Sequence, residues 1–416
     1  MKPQFIHPDA CGPGYRHRYG GTVRSRPPGE TLARLLPRLA EFGITRVANV
    51  TGLDRLEIPV INVIRPNSKS VSVSTGKGVD VEAAKVSGIM ESIESHVAEN
   101  IVLPLILASE TEMRRDRHVI DVARLAKLEG DGYREDVPIL WIEGFDLMAQ
   151  RPVWVPYELV HNDYSLPGPE GSGYFPKSSN GLASGNNILE AISHAIFEVV
   201  ERDAVTLFHY LFATFQTFDR IDVAASPFEE AHGLNEIIRS HGLEVHVWDI
   251  TSDTGLACCY AMLWEPLAAS NSTTRATVGS GCHTSPAIAM SRAITEAAQD
   301  RLTLIAGARD DLLAEHYMID PEFAGKIRAS LQIDVVRPIA GEWPDEIDTG
   351  SYDEELRRIL AGLARVGIEE VVCVNLTGRS QDIAVVKVVI PGLEAPHDDP
   401  GYEPGPRLLA KLKARK

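Results

Sequence analysis

The stretch Ser184-Gly185-Asn186-Asn187, followed by His194-Ala-Ile-Phe-Glu198-Val-Val-Glu201-Arg202, contains the features from which the fold can be inferred. It places a glycine-rich segment before a long apolar run from Ile188 to Phe212. A run of that length and character predicts a helix that is buried on most sides. Glu198 and Glu201 then lie in or beside the core, where an unpaired carboxylate is costly.

The same plan occurs twice more along the chain. Gly76-Lys77-Gly78 precedes Ser87-x3-Glu91-x2-Glu94, and Gly279-Ser280-Gly281 precedes Arg292-x3-Glu296-x2-Gln299. Each copy predicts a glycine-rich turn and an alanine-rich helix whose polar residues at i, i+4 and i+7 share one face. The helix of the third copy is expected over Pro286 to Ala306, and Val60 to Ile64, before the first copy, is expected to be a strand. We therefore expect a mixed α/β (α+β) fold, in which three pseudo-repeated turn–helix elements surround one central cleft.

Two interpretations of the acidic helix faces are open. For one such pair alone, the ordinary interpretation is a solvated helix face. The apolar surroundings of Glu198 and Glu201 favour compensation by a cation, either Arg202 or a divalent metal ion. Carboxylates without His or Cys neighbours suit Mg²⁺, and four glutamates from two helices suit ions that also hold substrate phosphates. The sequence thus indicates a metal–polyphosphate site, although it has no Gly-x-x-x-x-Gly-Lys-Ser/Thr loop.

The composition excludes several classes of protein. A chain of 416 residues that is 44% hydrophobic and 24% charged is not disordered throughout. A net charge of −17 makes nucleic-acid binding unfavourable. The five cysteines, an odd number without Cys-x-x-Cys, are typical of a reduced compartment. Because we find neither a signal peptide nor an apolar run that could span a bilayer, we expect a soluble cytoplasmic protein.

Several spaced motifs follow one another over most of the chain. They are Val73-Ser-Thr-Gly-Lys-Gly78, Ser87-x3-Glu91-x2-Glu94, Asn180-Gly-Leu-Ala-Ser-Gly-Asn186, Glu190-x7-Glu198-x2-Glu201-Arg202-Asp203-Ala204 and Glu296-Ala-Ala-Gln299-x-Arg301-Leu-Thr. In this order, the motifs resemble the YcaO family. Two earlier segments, Ile44-Thr-Arg-Val-Ala-Asn-Val-Thr-Gly-Leu-Asp54 and Arg65-Pro-Asn67, are similar to the subgroup whose members are often paired with a TfuA protein.

The resemblance implies an enzyme that uses ATP and Mg²⁺ to act on backbone amides of peptides. In the family, a nucleophile adds to the amide carbonyl, ATP phosphorylates the resulting oxyanion, and phosphate leaves. A Cys, Ser or Thr side chain as nucleophile gives an azoline, whereas external sulfide gives a thioamide. The chain then divides into an N-terminal segment integrated with the core (1–75), a YcaO-like catalytic region (76–390) and a C-terminal tail (391–416).

The resemblance also implies roles for individual residues, without identifying one catalytic residue. The metal ligands carried over are Glu91, Glu94, Glu198 and Glu201. The nucleotide contacts carried over are Arg24, Thr31, Ser87, Asn186, Glu190, Arg202, Gln299 and Arg301.

The end of the chain departs from the azoline-forming members. Many of those end in Pro-x-Pro-x-Pro, whereas this chain has Pro404-Gly405-Pro406 and then a basic segment. The departure favours thioamide formation. Azoline formation is the alternative reaction. An alternative of another class is a non-catalytic ATP-binding scaffold for a partner. We expect removal of Arg407 to Lys416 to leave ATP turnover within a few-fold. We also expect Cys282 to be a packing residue rather than a reactive thiol.

The expected partners follow from the same resemblance. They are a peptide or protein substrate and a TfuA-like protein, with neither nucleic acid nor membrane among them. Self-association into a homodimer stays open, as do the identity of the substrate and of the sulfur donor.

Overall fold

A computed structural model describes residues 16–128, 132–215, 218, 220–265, 276–313, 317, 336–337, 350–377, 383–398 and 401–414. Helices and strands are mixed along the chain, which confirms the predicted mixed α/β class. The α-helices are α1 (Pro28–Leu35), α2 (Val81–Glu99), α3 (Glu110–Met113), α4 (Ile188–Phe215), α5 (Glu229–Ser240), α6 (Pro286–Ala306), α7 (Tyr352–Arg365) and α8 (Pro406–Ala414).

The strands are short and mostly antiparallel. They are β1 (His17–Tyr19), β2 (Thr22–Arg24), β3 (Arg46–Asn49), β4 (Val60–Ile64), β5 (Val73–Lys77), β6 (Leu105–Ser109), β7 (Pro138–Asp146), β8 (Arg151–Pro156), β9 (Leu182–Gly185), β10 (Arg220–Ile221), β11 (Glu244–Asp249), β12 (Ala257–Trp264), β13 (Thr277–His283), β14 (Val336–Arg337), β15 (Val372–Asn375) and β16 (Ala384–Val389).

The chain forms two compact units that interleave along the sequence. The first unit comprises the described parts of residues 1–16, 93–207 and 349–416. It holds a sheet with strand order β6-β7-β15-β16-β9, to which β8 adds by pairing with β7.

The second unit comprises the described parts of residues 17–92 and 208–348. It holds a sheet with order β13-β12-β11-β10-β14, a three-stranded sheet β3-β4-β5 and the hairpin β1-β2. One apolar cluster of this unit joins strands β11 and β12 to helices α5 and α6.

The repeated plan of the sequence is an edge strand followed by a helix. The pairs are β5 with α2, β9 with α4 and β13 with α6, and each strand ends the path of its sheet. Their glycines lie in the strands rather than in turns, because the strand backbone approaches the helix too closely for a side chain. A Cβ on Gly76 would lie 2.2 Å from the Ala84 carbonyl oxygen, and one on Gly281 would lie 2.1 Å from that of Ala289.

Helix α6 shows how local sequence sets its boundaries. Ser285 precedes it in an extended conformation, and Pro286 occupies its first turn, where a missing N–H costs nothing. Gly307 ends it with a φ of 55°, a conformation that favours glycine. The predicted range, Pro286 to Ala306, is therefore the observed one.

The C-terminal segment packs firmly on helix α4 within the first unit. Asp203 on α4 is completely buried, and Arg407 binds it through Nε, 2.9 Å from Oδ1, and Nη2, 3.1 Å from Oδ2. The buried Glu394 carboxylate accepts hydrogen bonds from the backbone N–H groups of Gly405 and Leu408, both at 2.8 Å. Removal of Arg407 to Lys416 would take the guanidinium from the buried Asp203 and one backbone donor from Glu394, so we expect it to cost stability. Its effect on ATP turnover stays a prediction.

No helix in the described part of the chain is long and apolar enough to cross a membrane.

Candidate functional site

Glu91 of helix α2 lies in the second unit, beside the outer edge of strand β5. The backbone N–H of Thr75 donates a hydrogen bond to its carboxylate. Solvent reaches the Glu91 side chain, yet the surrounding protein desolvates the carboxyl enough to raise its pKa to about 7. Lys77 and Arg309 oppose that rise, whereas Glu296 adds to it. An ionised Glu91 is therefore costly unless a further cation is bound beside it.

Other predicted residues meet the same strand edge. Ser87 Oγ accepts a hydrogen bond from the Lys77 backbone N–H at 3.5 Å. Gln299 Nε2, from helix α6, donates to the Thr75 carbonyl oxygen, while its buried Oε1 has no partner among the described residues. The Lys77 ammonium forms an ion pair with Glu296. The second unit thus brings Ser87, Glu91 and Gln299 to one strand edge.

Glu94 is three residues after Glu91 on α2 and belongs to the first unit. Its Oε1 accepts hydrogen bonds from the backbone N–H of Ser184 at 2.8 Å and from the Ser184 hydroxyl at 2.5 Å. Because β9 is an edge strand, this carboxylate satisfies a donor that no neighbouring strand pairs in the described sheet. Ser184 thereby holds the Glu94 carboxylate in place.

Helix α4 contributes the remaining carboxylates of the first unit. Asn187 Oδ1 accepts the Glu190 backbone N–H at 2.9 Å, and Asn186 Nδ2 donates to Glu190 Oε1 at 3.3 Å. Glu190 and Glu201 are each 3% exposed, and Glu198 is half-buried. Arg202 Nη2 lies 3.6 Å from Glu201 Oε1. The first unit thus collects Asn186 with Glu190, and Glu201 with Arg202.

Three further predicted residues lie in the second unit with other partners. Arg301 is buried and binds Asp54, with its Nε 2.8 Å from Oδ2, and Glu265, with its Nη1 3.5 Å from Oε2. Arg24 donates to the Val23 carbonyl oxygen at 3.2 Å. Thr31 is buried, and its hydroxyl lies 3.4 Å from the Pro27 carbonyl oxygen. These contacts tie the three side chains to other parts of the protein, and their roles in nucleotide binding stay predictions.

Sequence reasoning did not assign the partners that hold these carboxylates. Ser184 and Lys77 stand inside the quoted motifs, but neither was expected to bind a glutamate. The signal that could have identified Ser184 is an edge strand, whose unpaired N–H groups need side-chain acceptors. That signal requires knowledge of strand order.

Each unit, taken by itself, offers donor atoms of the kind that magnesium requires. The first unit carries the carboxylates of Glu94, Glu198 and Glu201 and the second that of Glu91, and carboxylate oxygens are the ligands that Mg²⁺ prefers. The unpartnered Oε1 of Gln299 is a buried acceptor that an amino or hydroxyl group could satisfy. Among the described residues, no three His, Cys, Asp or Glu side chains form a complete metal cage. Such an arrangement is usual for Mg²⁺, which is commonly shared between carboxylates and substrate phosphates.

The four described cysteines are Cys258, Cys259, Cys282 and Cys373, and all are buried. Burial alone raises the pKa of the Cys373 thiol. The expectation that Cys282 is a packing residue agrees with its 1% exposure.

Comparison with known proteins agrees with these features. A protein from Rhizobium leguminosarum bv. trifolii, described as encoded in the tfuA 3′ region, is 36% identical over 384 residues, which are 89% of this chain and 88% of the relative. The structure of YcaO from Methanopyrus kandleri, bound with AMPPCP and Mg²⁺, superposes with a TM-score of 0.73 at 23% identity over 94% of this chain and 98% of that one.

A heterocyclase in complex with substrate and cofactor superposes with a TM-score of 0.72 at 21% identity over 94% of this chain. The chain spans 55% of that heterocyclase. The family model described as YcaO cyclodehydratase, ATP- and Mg²⁺-binding, matches residues 75–394. The chain therefore belongs to the YcaO family, whose cofactors are ATP and Mg²⁺.

Proposed function

We propose that this protein uses ATP and Mg²⁺ to activate a backbone amide of a ribosomally made peptide or protein and to install a thioamide there. The observation that carries the thioamide assignment is the relative in the tfuA 3′ region, 36% identical over 89% of this chain. The TfuA-type segments near residues 44–54 and 65–67 support the same assignment. A TfuA-like protein is accordingly the proposed partner.

The proposed reaction exchanges one oxygen for one sulfur. Hydrosulfide adds to the amide carbonyl carbon, and the carbonyl oxygen becomes an oxyanion. ATP, when bound, supplies the phosphoryl group that turns this oxygen into a leaving group. The carbon–oxygen bond then breaks, so that the products are the thioamide, ADP and phosphate. No redox partner is required.

Within the first unit, we assign Glu94, Glu198 and Glu201 to the metal ions. Glu94 is already oriented by Ser184. Asn186, Glu190 and Arg202 would contact the nucleotide, and a guanidinium such as that of Arg202 suits a phosphate group.

Within the second unit, we assign Glu91 to the metal ions. The desolvation of its carboxyl favours a compensating divalent cation there. Ser87 and Gln299 are proposed as nucleotide contacts because they meet the same strand edge. Arg24, Thr31 and Arg301 complete the proposed set.

Azoline formation is the second candidate, because the matching family model is described as a cyclodehydratase. It would use the same ATP chemistry, with a Cys, Ser or Thr side chain of the substrate as the nucleophile. The product would lose one water molecule instead of exchanging oxygen for sulfur.

Mass spectrometry of the native substrate decides between these reactions. The substrate, together with peptides encoded near the gene, is incubated with the protein, its TfuA-like partner, ATP, Mg²⁺ and sulfide. We expect the substrate to gain the mass difference between a sulfur and an oxygen atom. The Cys282→Ala variant should still catalyse this exchange. Loss of water would support azoline formation, and absence of any nucleotide turnover would support the scaffold and defeat both reactions.

A further inference from the structure

A depression of about 660 Å³ opens on the surface of the first unit, and none of its lining residues is a proposed ATP or metal contact. Four arginines and a histidine line it: Arg114, Arg117, His118, Arg124 and Arg151. Such a concentration of cations is unexpected on a chain with a net charge of −17. It indicates a site for an anionic group.

The carboxylates that line the same depression are largely engaged by the backbone. Asp121 accepts the Ala123 N–H at 3.1 Å, and Glu370 accepts the Asp121 N–H at 2.8 Å. Asp146 is 1% exposed and accepts the Met148 N–H at 2.9 Å. Glu369 is the exposed acid of the lining. At the exposed surface of the depression, Arg114, Arg117 and Arg151 therefore outnumber Glu369, although Arg114 also forms an ion pair with the buried Glu110 at 2.7 Å.

Arg117 and Arg151 are the cations best placed to bind a ligand. Both are exposed. The Arg117 guanidinium lies over the Trp154 ring at 5.9 Å, which limits its conformational freedom, and its ion pair with the neighbouring Asp116 is exposed and weak. Within the described residues, the Arg151 side chain makes no hydrogen bond or close ion pair, and its charge acts at longer range on Glu370, where it opposes the rise in the pKa of that carboxyl.

The size and chemistry of the depression favour a peptide over other anions. Its volume exceeds that of a phosphate ion, and Val119, Ala149 and Pro391 add apolar surface to its lining. Carboxylate side chains of a peptide suit arginine, because the guanidinium can bind both carboxylate oxygens at once.

We propose that this depression is a docking site for an acidic segment of a peptide or protein partner, with Arg117 and Arg151 as its main contacts. The site would hold a partner by charge and would not take part in the chemistry. Because this binding needs neither ATP nor sulfide, it can be tested independently of the proposed reaction.

The test measures binding of a dye-labelled oligoglutamate peptide to the full-length protein at low ionic strength. We expect saturable binding that weakens with salt. The double variant Arg117→Glu/Arg151→Glu should weaken binding by about tenfold or more. Arg117→Glu alone should also weaken binding clearly. Arg115→Glu makes the same charge change as that single variant at a nearby exposed position outside the lining, so its binding should change by less than about twofold. Circular dichroism and thermal unfolding confirm that each variant is folded.

Three results would overturn the proposal. One is the absence of saturable binding, and another is an equal loss in Arg115→Glu, which would reveal only general charge attraction. The third is competition by inorganic phosphate at the same concentrations as the peptide, which would indicate a small-anion site. If the glutamate variants fail to fold, the double variant Arg117→Gln/Arg151→Gln is measured instead. It should also weaken peptide binding, by a smaller factor, and unchanged binding would overturn the proposal.

Discussion

Helix α4 of the first unit and helix α6 of the second follow edge strands in the same way, yet their acidic positions have different surroundings. On α6, Glu296 forms an ion pair with Lys77, and Gln299 stands where α4 has its second glutamate. On α4, Glu198 is half-buried, and the buried Glu201 has Arg202 at 3.6 Å. Equal spacing therefore does not by itself mark a metal ligand. Glu296 meets a lysine from another strand, whereas Glu201 meets the arginine that follows it in α4. We therefore propose metal binding for the acidic positions of α4 and a packing role for Glu296.

The largest expected effect comes from exchanging a carboxylate for an amide at matched positions on the two helices. Glu198→Gln should reduce ATP turnover by about 100-fold or more, because a charged ligand for the metal is lost at constant shape. Glu296→Gln should leave turnover within a few-fold and change the free energy of unfolding by up to about 1 kcal/mol. Steady-state phosphate release, with folding checked by circular dichroism, measures both. Equal losses of turnover would contradict the distinction between the helices.

A second prediction concerns Asp203, a buried carboxylate on α4 that already has a cation. Burial raises its pKa, and the Arg407 guanidinium opposes that rise. Arg407→Ala should lower the free energy of unfolding by about 3 kcal/mol, because an uncompensated buried charge remains. Urea unfolding measures the loss, and Lys413→Ala on the exposed part of α8 is the matched control. Unchanged stability with lost ATP turnover would instead place Asp203 with the metal ligands.

Glycine substitutions test whether the β9–α4 and β13–α6 repeats share the close approach of strand to helix as well as their sequence plan. Gly281→Ala should destabilise the protein by about 1–3 kcal/mol, because its Cβ would lie 2.1 Å from a backbone oxygen of α6. Gly185→Ala should act in the same direction, since its Cβ would lie 2.6 Å from the Ala191 nitrogen. Gly233→Ala, in α5 with open space around it, should stabilise by roughly 0.5–1 kcal/mol. Thermal unfolding ranks the three, and a tolerated Gly281→Ala would refute the close approach.

The smallest expected effect is a pH dependence that distinguishes Glu91 from an ordinary surface glutamate. Its pKa of about 7 means that the ionised fraction, which is the form proposed to bind metal, increases from pH 6 to pH 8. The apparent affinity for Mg²⁺ in the presence of ATP should therefore rise by about tenfold over that range. Isothermal titration calorimetry at several pH values checks this. Glu91→Gln should weaken Mg²⁺ binding and remove its dependence on pH. A profile that is flat in the unmodified protein would show that Glu91 does not titrate against the metal.

Elements with strong periodicity could be predicted closely from the sequence. The expected ranges for β4 and α6 are the observed ones, and α4 was expected over Ile188 to Phe212 and extends to Phe215. Strand β13 was missed because Gly279 and Gly281 are typical of turns, and only their contacts with α6 explain them in a strand. Helix α8 was missed because its anchors, Asp203 and Glu394, are distant from most of it along the chain.

By itself, the sequence determined the mixed α/β class, the three repeats of a glycine-rich segment and a helix, the acidic positions and the family, because each depends on residue type and local spacing. Tertiary structure alone decided that β5, β9 and β13 are edge strands, which makes Glu91 and Glu94 acceptors for backbone N–H groups. It also decided that Lys77 neutralises Glu296 and that Arg407 neutralises Asp203. The physical reason is that the cost of a carboxylate depends on its burial and on the nearest cation, and both are set by residues far apart along the chain.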